Sequence, residues 1–241
     1  MAHGVRSWRA AGVALWTVFV AWPTWADEPT PQDVIAWIGT PSTDAIHAIA
    51  TGDLSGHGTR DWAGVVRRPA PAAQVDADEA DADARPDPLG GWQIVIFLQQ
   101  PDRHYRLVVQ SPPFSFDCGT SRCWSEDMHI DKQSLFVDRL WSWHGCFDKV
   151  LFQFKARNGG WPLIGVRSDS SEVPYPDDGG PSTTQTVDYN RITGDIVVAH
   201  RTSPHPARTR RFKLVKPALD LADFDDFTPP SGDGIPSICG R

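Results

Sequence analysis

One short stretch near the start of the chain has oxygen-bearing residues spaced as a hard cation would need them. In "GDLSGHGTRDWAGVV", Asp53, Ser55, His57, Thr59 and Asp61 fall on alternate positions of a single loop, and Gly56 and Gly58 let the backbone turn. Calcium takes several oxygen ligands from such a loop: the carboxylates of Asp53 and Asp61, the Ser55 hydroxyl and the Thr59 carbonyl supply them here. The donor set is incomplete. His57 stands where the pattern has an acid, and imidazole is a poor ligand for calcium. Gly64 stands where an EF-hand glutamate would close the site. Two readings follow: a weakened calcium site, or a turn in which Asp53 caps backbone N–H groups and binds no ion.

Other chemistry-bearing groups point to binding and covalent staples. The sequence has no G-x-S-x-G, H-E-x-x-H or glycine-rich phosphate loop, and the histidines are scattered singly, so no catalytic activity is expected. Trp141 and Trp143 in "DRLWSWHGC" share one face if that segment is extended. Placed on a loop after "SLFVDRL", with His144 and Gly145 forming a turn, Trp141, Trp143 and His144 would anchor a protein partner. The alternatives are rings buried in the core or a platform for a glycan. Four cysteines, Cys118, Cys123, Cys146 and Cys239, fit disulfides in an exported chain. "CGTSRC" suits a turn clip joining Cys118 to Cys123, which leaves Cys146 with Cys239; the spacing itself leaves all three connectivities open.

Export is expected from the first 26 residues. Arg6 and Arg9 precede the apolar run "AAGVALWTVFVAW", and Thr24 and Ala26 are the small residues of a cleavage site. The run is too short for a membrane span. Residues 1–26 therefore read as a signal peptide cleaved near Ala26, with a periplasmic or secreted product. Removing Arg6 and Arg9 takes the formal net charge from −7 to −9. Such a balance argues against nucleic acid, whose binding needs Lys and Arg on phosphates, and leaves a basic protein partner open.

The elements that must position these residues are strands. Short β-branched and aromatic runs at 93–99, 103–110, 133–140, 149–156, 184–189, 195–200 and 209–215 are separated by "QPDR", "RNGG", "YPDDGGP" and "NRITGD". Only "PQDVIAWIG" and "ALDLADF" suit short helices. The fold expected is all-β: a single antiparallel domain, propeller-like or a curled meander, with one or two disulfides. It spans residues 44–226 after an N-terminal segment at 27–43. An Asp-, Ala- and Pro-rich insertion at 68–91 buries too little apolar area to order itself, and an extended tail covers 227–241.

The loop, with strand "IHAIATGD" before it and "WAGVV" after it, resembles the D-x-N-G-D-G-x-x-D loop of FG-GAP and VCBS-type repeats. The order of the pieces that follow, among them "FSFDCGTSRCW", "VLFQFKARNGGWPLIGV" and "DYNRITGDIVV", is similar to that of small secreted bacterial proteins. Some of those resemble periplasmic immunity proteins against peptidoglycan hydrolases. The resemblance covers about Ile46 to Asp225 without the insertion and implies a non-catalytic, β-propeller-type inhibitor of a cell-wall hydrolase. The S-G-x-Y motif of periplasmic lysozyme inhibitors is missing: "SGHG" and "SGDG" lack the tyrosine. The alternative is a secreted FG-GAP-type domain with a structural calcium and a carbohydrate or cell-surface ligand.

Overall fold

A computed structural model describes residues 30–39, 45–69, 89–114, 122–124, 127–143, 145–173, 180–214 and 216–224; positions 69, 89, 90, 122–124, 141 and 143 are described by backbone alone. The expected signal peptide, the tail and residues Cys118, His144 and Cys239 lie outside this set.

The described chain is mostly β and antiparallel. Helix α1 (Gln32–Ile38) comes first, followed by β1 (Ile46–Gly52), β2 (Asp61–Pro69), β3 (Leu89–Gln99) and β4 (Tyr105–Gln110). These four strands form one sheet in chain order. The second sheet holds β5 (Arg122–Trp124), β6 (Met128–Asp131), β7 (Ser134–Trp143), β8 (Cys146–Lys155) and β9 (Leu163–Glu172). It continues through β10 (Thr183–Asn190), β11 (Asp195–Thr202) and β12 (Arg208–Lys213), and the chain then makes a 3-10 turn at Leu221–Asp223. Its order is β12-β11-β10-β9-β8-β7-β5, with β6 also on β7. The meander half of the expectation holds in this continuous ladder. Radial four-stranded blades of the propeller kind are not what these eight strands make.

Alternation explains the second sheet. β8, "CFDKVLFQFK", buries every second residue, so Val150, Phe152 and Phe154 face inward. They meet Ala63, Val65, Ile94 and Ile96 of the first sheet in one core, and Phe224 closes it edge-on against Phe152 and Phe154, with centroids 5.2 and 5.1 Å apart. Each such ring contributes about 1.5–3 kcal/mol by leaving water. The first sheet is covered on its other face too. Val34 and Ile38, four apart and so on one side of α1, pack with Trp62, Val66, Val95 and Phe97. Gly39, with φ +81°, ends the helix.

Within the N-terminal segment, α1 supplies part of the core. Two boundaries differ from expectation. The insertion is shorter than 68–91: the β2–β3 ladder continues through Arg67↔Trp92 to Pro69↔Leu89, with Arg67 over the Trp92 ring at 4.8 Å. Trp141 and Trp143 lie in β7 rather than on a loop after it, since Trp141 pairs Asp148 and Trp143 pairs Cys146. Gly145, with the left-handed φ of +76°, precedes β8.

The topology limits the disulfides. Cys123 sits on β5 and Cys146 on β8, on opposite sides of β7. Two interstrand spacings, about 9.5 Å, exceed the Cα separation that a disulfide spans. Cys146 and Cys123 are therefore not bonded to each other.

Candidate functional site

The loop between β1 and β2 is built around its two aspartates. Asp53 accepts from Gly56 N at 2.6 Å and Ser55 Oγ at 3.4 Å on Oδ1, and from Gly58 N at 3.1 Å on Oδ2. Gly56 and Gly58 have φ of +77° and +71°, the left-handed conformations that bring these N–H groups back to one carboxylate. Asp61 is fully buried. Its Oδ2 accepts from Leu54 N at 2.9 Å and Ser55 N at 2.8 Å; its Oδ1 accepts from Gln99 N at 3.0 Å and Thr59 Oγ1 at 3.3 Å. A carboxylate has about four lone-pair directions, so four donors leave Asp61 none for a cation. Ser55 Oγ and Thr59 Oγ1 also meet at 3.1 Å, and His57 is exposed, its N–H reaching Ser55 Oγ at 3.4 Å.

Further clamps come from residues that the spacing did not reveal. Leu54, 1% exposed, roots the loop in the core. Gln99 Oε1 accepts from Arg60 N at 3.3 Å, Arg60 Nη2 donates to Thr51 Oγ1 at 3.0 Å, and the Tyr105 hydroxyl donates to the Arg60 carbonyl at 2.9 Å. Tyr105 N in turn donates to Asp33 of α1 at 2.8 Å. That backbone N–H, against the opposing effect of burial and with help from His104, holds the Asp33 carboxyl below its usual range.

Beside the loop runs a cleft of about 650 Å³, lined by Ile49–Asp53 and Gly58–Arg60 on one side and by Asp127–Ile130 on the other. It lies where an edge of the first sheet, β1, faces β6, with Gly52 against the Ile130 side chain. Any side chain at 52 would meet Ile130 at 2.9 Å, so glycine permits this approach. His129 borders the cleft with its ring stacked on Phe136, centroids 4.7 Å apart. The walls thus mix apolar surface with carboxylate, hydroxyl, guanidinium and imidazole groups.

Of the expected metal set, Asp53, Ser55, Thr59 and Asp61 come together, and the Ser55–Thr59 contact is between side chains. His57 points no ring nitrogen into a described hydrogen bond. Among the described residues, no group of three or more His, Cys, Asp or Glu is placed to share a metal ion. The expected partner-binding residues lie elsewhere. Phe136 and Trp143 are seven positions apart on β7, about 23 Å along the strand, so the cleft and the Trp141/Trp143 end form two separate places. Near that second end the sheet carries buried polar residues, Asp148, Ser168 and Gln185, which periodicity alone did not mark. No helix among the described residues is long and apolar enough to cross a membrane.

No protein-family model, curated protein or solved structure matches the chain.

Proposed function

We propose that this chain is an exported, non-catalytic binding protein that neutralises a cell-wall hydrolase of the periplasm. The observation that supports it best is the cleft beside a loop fixed by seven hydrogen bonds to two carboxylates. Those carboxylates hold a surface in shape, and a surface already held in shape loses less entropy on association. On this reading the loop is a structural turn that needs no calcium, because four donors already occupy Asp61 and three occupy Asp53. Trp141, Trp143 and His144 form a second anchor for the same partner, and the pairs Cys118–Cys123 and Cys146–Cys239 staple the end of the sheet that carries it. The signal peptide at 1–26 delivers the chain to the compartment in which such pairs form.

The test is co-purification from periplasm followed by a cell-wall clearing assay. A captured hydrolase whose clearing activity stops at an equimolar amount of this chain is the expected result; clearing unaffected by excess chain overturns the reading. Carbohydrate is the second ligand class, favoured by a cleft volume within the ~300–1,000 Å³ of small-molecule sites. Glycan retention on the immobilised chain, without a stoichiometric protein, would select it.

A further inference from the structure

Strand β12 is the outer strand of the second sheet and, among the described residues, pairs only with β11. All six of its residues are exposed. Every other strand whose side chains are described buries at least one. Its ladder has no register shift from His200↔Arg208 to Asp195↔Lys213, and Leu214 N donates to Gly194 O at 2.8 Å just beyond it. Antiparallel pairs alternate between exchanging both backbone bonds and exchanging none. Counting back from Leu214, Phe212, Arg210 and Arg208 bond to β11, while Thr209, Arg211 and Lys213 direct their N–H and C=O groups outward.

The charge on this edge runs against the rest of the molecule. The chain has 23 Lys and Arg against 30 Asp and Glu, yet four of six residues here are cationic. Among the described residues, only Lys213 of this strand has an ion pair, with Asp195 at 3.1 Å. Phe212, 40% exposed, stands among them. Charges on an edge strand deter indiscriminate pairing. They also select: another cationic strand is repelled and an acidic one is attracted.

We propose that β12 is a docking edge for an extended acidic segment of a partner protein, which adds to the sheet as its next strand. The backbone groups of Thr209, Arg211 and Lys213 take the partner's backbone. Carboxylates at alternate positions meet Arg208 and Arg210 on one face or Arg211 and Lys213 on the other, and an apolar residue covers Phe212. This inference is independent of the hydrolase reading and of the cleft.

The probe is a synthetic peptide of alternating Glu and Val, titrated by fluorescence anisotropy into the full chain. Its controls are the same peptide with alternate backbone amides N-methylated, and inorganic polyphosphate. Saturable binding is expected, weakened at least about tenfold by the double change Arg210→Glu, Arg211→Glu and by the N-methylated probe. Arg211→Pro, which removes one outward N–H and leaves three cations, should weaken binding while the far-UV spectrum is kept. If that variant misfolds, the N-methylated probe still decides. No binding of the peptide overturns the proposal. So does equal binding of the N-methylated probe, or polyphosphate competing as well as the peptide does, since each would mean a counterion patch without strand addition.

Discussion

The loop at Asp53–Asp61 and the strand at Arg208–Lys213 both concentrate charge, and they dispose of it in opposite ways. In the loop, two carboxylates face inward and seven donors converge on them, so the charge is used up in fixing the backbone. In the strand, four cations face water and, among the described residues, one carboxylate pairs with one of them. A buried charge that is fully hydrogen-bonded shapes a surface, and an exposed charge that is not is left for a partner. The two regions therefore should respond differently to substitution: the loop through stability, the strand through binding.

The sharpest way to break that contrast is Asp61→Ala. It leaves three backbone N–H groups and the Thr59 hydroxyl without their acceptor in a fully buried place. A loss on the order of 3–5 kcal/mol is expected in urea unfolding. A loss below about 1 kcal/mol would show that the loop is not held from within.

Asp53→Ala should cost less, about 1–2 kcal/mol, as for a lost turn cap, because Asp53 is only half-buried. Chelator should leave the melting temperature of the unsubstituted chain unchanged, since an ion bound by the native state alone would stabilise it by mass action. A melting temperature that falls with chelator and recovers with millimolar calcium would restore the cation reading. Arg210→Glu in β12 should change stability by no more than ~0.5 kcal/mol, the range of surface substitutions. A larger loss there would mean that the edge serves the fold.

How far the sequence carries depends on which neighbours decide a residue's role. β8 was legible because one face is buried and one is wet, and its alternation survives. β2 buries six residues in a row, Asp61 to Val66, because the core lies on one side and α1 on the other, so no alternation marks it. β6 and β9 were hard to see for another reason. "MHID" is four residues long, and "LIGVRSDSSE" turns polar halfway although Ser168 is buried. The spacing drew attention to Asp61 but not to all of the groups that hold it. Its decisive partner is Gln99, 38 positions away, and a loop pattern has no access to that distance. The Trp141/Trp143 segment looked like a loop because it follows a complete run of strand residues; cross-strand pairing to β8 extends it.

The smallest effect expected is at the far end of the loop's chain of clamps. Asp33 accepts from Tyr105 N, and Tyr105 holds the Arg60 carbonyl, so the Asp33 carboxylate supports the loop from α1. The Tyr105 N–H favours its charged form and keeps the folded pKa below the unfolded value of about 3.9. The resulting stability is present above that value and is lost as pH falls through the folded pKa. Asp33→Asn keeps an oxygen for Tyr105 but no charge. The variant should therefore be slightly less stable than the unsubstituted chain at neutral pH, and the two should converge below about pH 4. Acid titrations followed by tryptophan fluorescence would read this directly. A gap that stays constant down to acid unfolding would mean that the charge on Asp33 contributes nothing and that the clamp works by geometry alone.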